Sequence, residues 1–385
     1  MILKRTFHPV GHGAFYTEQF YSDVTNQPCF TVVFDCGRFE AAKKGWSYPQ
    51  YKKAIDGYVA SDSGLISGQE IDLLFISHFH TDHIIGVEYL IANYDVKKII
   101  IPVITQDVIF DSIYSAARTS QGINAQVSFI EKLRNQYSEK VCFVDIKGDG
   151  SDADNISEID IQDDGMKDVG QIISCTSLKY KGWYYKPFYT TDRSSETNLI
   201  KQLQIHFPCI LCGSEIDLKQ LREYIKTNGV DSLKDVYASV FGKDKHNSYS
   251  LTLYSGMSCD KACHKGCHMK ANEKVVNSQL CSCNCLYMGD YEALGDKQRQ
   301  IMTYYSREWE NIGIVQVPHH GSEHNSDDLF YHDKKCLCII SADSNDKYDH
   351  PDQIVLDAIA NSHSIPIIVS ENKKTKLCFT IQIPN

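Results

Sequence analysis

The sequence predicts an α/β fold. Three observations carry that expectation: a strand–loop–helix–strand alternation between residues 71 and 103, a second alternation between 312 and 370, and β-branched, aromatic runs near the N-terminus. In the first alternation, Ile71-Asp72-Leu73-Leu74-Phe75-Ile76-Ser77 is a nearly unbroken apolar run, as a strand covered on both faces requires. A loop follows, Ile84 to Leu90 opens a helix, and Lys98-Ile99-Ile100-Ile101-Pro102-Val103 is a second buried strand. In the last third, Ile312 to Val317, Cys336 to Ser341 and Pro366 to Ser370 read as strands, with a helix from Pro351 to Ala360. Upstream, Phe30-Thr31-Val32-Val33-Phe34 is a strand that stops at Asp35-Cys36-Gly37, and Val10 to Phe15 is a turn leading into another. Tyr48 to Val59 is polar and reads as a helix.

The middle of the chain is less regular. Gly148 to Gly170, rich in Asp, Gly and Ser, reads as a loop or insertion, and Gly182 to Tyr189 as an aromatic strand. Apolar residues at spacings of three and four predict helices over Leu218–Lys226 and Ser232–Phe241. Strands return at Ser250 to Tyr254 and Cys285 to Met288, around a Cys-rich insert, and there is no internal repeat.

Composition narrows the function. Hydrophobic residues make up 42% and charged residues 23%, ordinary for a globular protein. The net charge of −10 supplies no global field for polyanions, so contact with nucleic acid would rest on a local patch or on bound metals. The first residues lack the apolar run of a signal peptide and no stretch is apolar enough to cross a bilayer, so a cytoplasmic location without membrane contact is expected.

Directly after the strand at 71–77 stands His78-Phe79-His80-Thr81-Asp82-His83. Imidazole and carboxylate groups suit zinc, manganese or iron, and four such side chains in six residues at a sheet edge predict a metal site. Alternation in an extended turn would send His78, His80 and Asp82 to one side and leave His83 for a second metal. A lone histidine on an apolar face is usually a packed residue; four ligand types at this spacing are not.

This loop resembles the His-x-His-x-Asp-His signature of the metallo-β-lactamase superfamily, which implies a four-layer αβ/βα sandwich. Later motifs follow in that superfamily's order. Leu286-Tyr287-Met288-Gly289-Asp290 resembles its strand ending in an aspartate that bridges two metals. Val315-Gln316-Val317-Pro318-His319-His320-Gly321-Ser322 resembles its next strand and histidine; one of His319 and His320 is implied as a ligand, the His-Gly pattern favouring His320. Val33 to Gly37 resembles the early strand whose aspartate, here Asp35, supports the ligands from behind. His246 falls where lactamase-like members place a third histidine on the first metal. Met288-Gly289-Asp290, Pro318 to Ser322, Asp349-His350-Pro351 and Asn247-Ser248-Tyr249-Ser250-Leu251 together resemble the metallo-β-lactamase domain of ComEC-type DNA-uptake proteins. That branch implies a nuclease or phosphodiesterase and favours Asn247 over His246 at the first metal.

The resemblance implies two divalent cations, zinc favoured over manganese, that lower the pKa of a bridging water and clamp the attacking and leaving oxygens. Asp82 would accept a proton, and His350 would be a further ligand or protonate a leaving oxygen, unless it merely precedes the helix start at Pro351. His12 stands near the expected rim, as a substrate contact or as a plain turn residue.

Two further features point to binding. Cys259, Cys263, Cys267, Cys281, Cys283 and Cys285, with His264 and His268 among them, are candidate ligands of an additional structural zinc, although their spacing departs from the usual knuckle. Cys209 and Cys212, in apolar company, read as core residues. Trp183-Tyr184-Tyr185 and Tyr304-Tyr305 offer base-stacking surfaces or, more commonly, packing.

The expectation is one metallo-β-lactamase-fold domain over residues 1–385, with an insertion near 105–245 and a Cys-rich hairpin near 256–284. Its leading function is metal-dependent hydrolysis of phosphodiester bonds in nucleic acid or a nucleotide-like molecule. The same metals suit a carboxylic ester, lactone or amide. A different class is a non-catalytic, metal-stabilised binding module in a multi-protein system such as phage defence; no residue identifies a protein partner.

Overall fold

In the computed structural model, the described residues are 1–22, 27–39, 47–117, 120–146, 157–162, 172–174, 176–191, 193–242, 250–257, 268–272, 274–275, 283–332, 335–344 and 350–383. Two large sheets dominate them. The first has ten strands in the order Lys274–Val275, His268–Ala271, Leu377–Gln382, Ile2–Phe7, Phe15–Tyr21, Pro28–Cys36, Glu70–Phe75, Asp95–Pro102, Val141–Val144 and Ile172–Ile173. The second has eight: Ile365–Val369, Leu337–Ser341, Ile312–Gln316, Asn284–Tyr287, Thr252–Met257, Trp183–Phe188, Thr176–Tyr180 and Ser157–Asp160. Each sheet joins an antiparallel part to a parallel run, Pro28–Cys36 through Ile172–Ile173 in the first and Asn284–Tyr287 through Ile365–Val369 in the second.

The sheets pack face to face, and aromatic side chains fill the space between them. Tyr287 of the second sheet lies over Phe34, Tyr16 and Phe7 of the first, at ring separations of 5.1, 5.7 and 6.0 Å. Tyr185 meets Phe75 at 6.1 Å and Phe30 at 6.2 Å. A charged pair is enclosed with them: Arg5, wholly buried, binds Glu18 at 2.7 Å and donates to the Cys283 carbonyl, while Tyr185 and Tyr287 each donate to Glu18 at 2.8 Å. Every oxygen of that carboxylate is therefore satisfied, the condition under which a buried charge is tolerated. Helices flank the sheets, completing a mixed α/β sandwich as the sequence predicts.

Several expectations need correction. Within residues 105–245, the expected insertion, Val141–Val144 and Ile172–Ile173 complete the first sheet while Thr176–Tyr180 and Trp183–Phe188 enter the second. Their buried faces make them core strands; beyond the two sheets, the described residues form the helices Gln106–Ala116, Ser120–Asn135, Arg193–His206, Leu218–Asn228 and Lys234–Phe241 and a small hairpin of Leu211–Cys212 with Glu215–Ile216. Within the predicted loop from Gly148 to Gly170, Ser157–Asp160 is a strand, paired in parallel with Thr176–Lys179, and the rest lies outside the described residues apart from Ile161 and Gln162. The Cys-rich stretch contains a hairpin, His268–Ala271 with Lys274–Val275, that pairs with Leu377–Gln382 and so joins the opposite sheet from its flanking strands. Cys209 and Cys212, expected in the core, are exposed. Trp183, Tyr185, Tyr304 and Tyr305 are fully enclosed, so they pack rather than offer stacking surfaces. No described helix is long and apolar enough to cross a membrane.

Candidate metal centre

The parallel strands of both sheets aim their C-terminal ends at one place, the position where open α/β sheets bind ligands. Pro28–Cys36 delivers Asp35; Glu70–Phe75 runs on into Ser77 and His78; Asn284–Tyr287 leads to Asp290; Ile312–Gln316 leads to His319 and His320. Thr81–Ile84 is a short helix, which turns Asp82 and His83 the same way. This corrects the extended-turn expectation, because Asp82 falls with His83 rather than with His78 and His80. Tight backbone contact fixes the loop: a Cβ on Gly37 would come within 1.7 Å of the Asp82 carbonyl oxygen, so only glycine fits. Gly289, at φ +54°, similarly faces Ser77 and Ser250 at less than 3.0 Å from any added Cβ.

Two groups of ligand-type atoms result, each with its members within 4.8 Å of one another. One contains Asp82, His83, Asp290 and His320; the other contains His78, His80 and Asp290. Asp290 belongs to both: its Oδ1 lies 3.1 Å from His83 Nε2, and its Oδ2 lies 3.5 Å from His78 Nε2. Asp82 Oδ2 stands 3.4 Å from His320 Nε2 and 3.8 Å from His83 Nε2.

The outward nitrogens decide how each ring is protonated. His83 Nδ1 lies 2.8 Å from the Asp35 carboxylate and His320 Nδ1 2.8 Å from the Ser341 carbonyl. Both partners only accept, so both Nδ1 atoms carry protons, and Nε2 is the nitrogen each ring turns inward. Ser77 Oγ donates to Asp35 at 2.6 Å, so it accepts from His78 Nδ1 at 3.0 Å, with Ser250 Oγ at the same distance on the other side. His80 differs: its Nε2 lies 2.9 Å from Asp111, leaving Nδ1 as its inward atom. In His319, Nδ1 donates to Asn325 Oδ1 at 2.7 Å, an amide whose orientation is set because its nitrogen donates to the Asp290 carbonyl.

Ring nitrogens that face carboxylate oxygens across a buried pocket call for a positive charge between them, a proton or a metal ion. The Nε2 atoms of His78, His83 and His320 are buried and make no hydrogen bond. Nitrogen donors with shared carboxylates are the set that divalent zinc or manganese accepts, so the residues present fit two such ions. The electrostatics agree. Burial pulls the His83 pKa down, but Asp290, Asp82 and Asp35 together push it well above its usual value. Burial raises Asp290, yet His83, His319 and His78 hold it well below the usual carboxylate range. The pocket demands positive charge at its centre.

Backbone strain marks the same residues. Asp35, His319 and His320 are non-glycine residues at φ 55°, 46° and 58°, conformations that cost on the order of 1–3 kcal/mol each and persist where surroundings over-determine them. Asp35 offsets this by accepting from the Ser77 amide as well as its hydroxyl and His83.

His319 lies outside both groups, although its Nε2 is 3.8 Å from Asp290 Oδ2, on the side of His78. His350 sits beside Asp352 at 3.4 Å, with its ring 6.2 Å from His319 and 5.8 Å from His12. His12 is buried over His320 at 4.3 Å, its amide donating to Asp343; burial, reinforced by His320, drives it down to about 2, so it stays neutral. His246 and Asn247 lie outside the described residues, as do Cys259, Cys263, Cys267 and Cys281. Cys283 and Cys285 are enclosed at the sandwich interior, where burial pushes the Cys285 thiol up to about 12. Neither joins a metal-competent group among the described residues. The sequence reading missed Asp111, Asn325 and Ser77. Of the supporting residues, Asp35 had a signal in the strand Val33 to Gly37, and Ser250 in the stretch Asn247-Ser248-Tyr249-Ser250-Leu251.

Residues 30–154, less than half of the chain, match the family model described as "Metallo-beta-lactamase superfamily". No curated protein matches the sequence. Among solved structures, the chain is similar to an archaeal metallo-beta-lactamase superfamily protein from Sulfolobus tokodaii, at 14% identity and a TM-score of 0.21. That alignment covers 48% of this chain and 54% of the other, so the chain spans about half the length of that relative. The matched segment, which contains Asp35 and the whole loop from His78 to His83, is similar to metallo-β-lactamase superfamily domains, and the His/Asp cluster built around that loop could hold metal ions.

Proposed function

We propose that this protein hydrolyses phosphodiester bonds, in nucleic acid or a nucleotide-like molecule, at a dinuclear centre of the ComEC-like type. The observation behind this reading is the convergence of His78, His80, His83 and His320 with Asp82 and Asp290, each imidazole presenting a ring nitrogen inward. His78, His80 and Asp290 would hold one cation and Asp82, His83, His320 and Asp290 the other, zinc favoured over manganese. When bound, two such ions supply Lewis acidity towards a water nucleophile and towards the oxygens of a phosphate.

The chain's own residues do the rest. Asp82 is the most open of the clustered carboxylates, its side chain 25% exposed against 2% for Asp290, so it faces the side from which substrate and water arrive. Its carboxylate is held ionised because His83 and His320 outweigh the effect of burial, and it accepts the proton of the attacking water. His319, also 25% exposed, orients the substrate from the same mouth. His350, beside Asp352 at the rim, delivers a proton to the leaving oxygen. His12, itself held by Asp343, packs against the His320 ring and limits its movement.

Metal-loaded protein tested on bis(p-nitrophenyl) phosphate, single-stranded DNA, an aryl ester and a lactone checks this. Phosphodiester cleavage that Asp82→Ala reduces by about 10²–10⁴-fold is the expected result. Ester or lactone turnover without phosphodiester cleavage would transfer the same centre to acyl chemistry, and no turnover of any substrate would leave a binding module.

A further inference from the structure

The helices outside the two sheets reach the metal centre. Asp111, on Gln106–Ala116, places Oδ2 2.9 Å from His80 Nε2, and its Oδ1 accepts a hydrogen bond from Tyr237, on Lys234–Phe241. Tyr237 has little freedom: its ring stacks on Tyr114 at 4.0 Å and meets Phe241 at 4.7 Å, and it is 3% exposed. A third helix, Ser120–Asn135, holds the same loop by its backbone, since buried Gln126 donates to the Phe79 carbonyl at 2.5 Å.

We infer that Asp111 and Tyr237 are positioning residues of the first metal site, a Tyr237–Asp111–His80 relay through which the outer helices fix the ring orientation and the metal-binding nitrogen of His80. This rests on the dinuclear reading above. The chemistry follows from donor and acceptor counting. Asp111 has no proton to give His80, so His80 keeps its proton on Nε2 and presents Nδ1 to the ion. Tyr237 in turn occupies the second carboxylate oxygen, so Asp111 cannot rotate away. His78, by contrast, is held by hydroxyls of Ser77 and Ser250 at Nδ1 and presents Nε2.

Two readouts on the full chain test the relay. Long-range ¹H–¹⁵N spectra of the metal-free protein should show His80 protonated on Nε2, and Asp111→Asn should shift that proton population. Zn²⁺ titration against a chromophoric chelator should show two sites in the wild type. Asp111→Asn should weaken one of them by about 10–100-fold, the range for partners of metal-binding histidines, and Tyr237→Phe should weaken the same site by less. The other site should keep its affinity. Tyr237→Phe preserves the ring stack, so it decides the matter if Asp111→Asn fails to fold. Two-site wild-type binding with both variants indistinguishable from it, in affinity and in His80 protonation, overturns this inference alone. A wild type that takes up no Zn²⁺ overturns the dinuclear reading and this inference with it.

Discussion

Replacing Asp35 by Asn should disable one metal site while leaving the metal-free fold nearly intact. Asp35 Oδ1 accepts from the Ser77 amide at 2.7 Å, and Oδ2 accepts from Ser77 Oγ at 2.6 Å and His83 Nδ1 at 2.8 Å. Asparagine tolerates the left-handed conformation, φ 55°, as well as aspartate does, so the backbone has no reason to move. Its carbonyl must still meet the Ser77 amide, which puts the NH₂ group where Oδ2 stood. A donor then faces His83 Nδ1, which must accept, and the imidazole proton moves to Nε2. That atom lies 3.1 Å from Asp290 Oδ1, so it donates there and its lone pair is lost to the cation. Partners of this kind control metal affinity by about 10–100-fold, or about 1.4–2.8 kcal/mol. Chelator competition should therefore show one weakened site, and the thermal midpoint of the metal-free protein should change little because hydrogen bonds are exchanged rather than lost. Unchanged affinity at both sites would refute the reasoning, as would a metal-free variant that no longer folds.

Other outcomes follow from separate parts of the molecule. Arg5→Met leaves the Glu18 carboxylate buried without its cation, and urea unfolding should show a loss of about 3–5 kcal/mol; a loss below about 1 kcal/mol would mean the pair is dispensable. Burial, opposed by the Thr31 amide bond and aided by Glu70, pushes Asp72 up to about 7. A raised carboxyl contributes stability fully present below its unfolded value of 3.8 and lost as pH rises through about 7, so unfolding free energy should fall across that window and Asp72→Asn should remove the slope. His350→Ala should slow cleavage of an alkyl phosphodiester far more than that of a p-nitrophenyl ester, whose leaving group needs no proton; equal losses on both would exclude His350 as the acid.

The parts of the fold legible in the sequence were those with a strong local signal. Ile71 to Phe75 and Lys98 to Pro102 are apolar on both faces, and both form strands of the first sheet. Helix Gln106–Ala116 was invisible because eight of its residues are buried, Asp107 and Asp111 among them, so no polar stripe marks its period. The strand Ser157–Asp160 is largely exposed and sits at a sheet edge, where apolar alternation is not demanded. In the candidate site, the histidine loop, Asp290 and His320 were legible because ligand chemistry restricts residue type. The pairing of Asp82 with His83 was not, because it depends on a four-residue helix that spacing alone does not reveal. Asp111 and Asn325 were silent for another reason. An aspartate in a helix or an asparagine in a turn is commonplace, and only the three-dimensional approach to His80 and His319 gives them a role.

Asp290 stands in both groups of ligand atoms, so the measurement that bears most directly on the dinuclear claim is the metal content of the purified full chain beside its Asp290→Asn variant. The account predicts about two equivalents of zinc or manganese in the wild type, as two-metal hydrolytic centres hold, and a fall at both sites in the variant. A wild type holding one equivalent or none, or a variant that retains both, would contradict it.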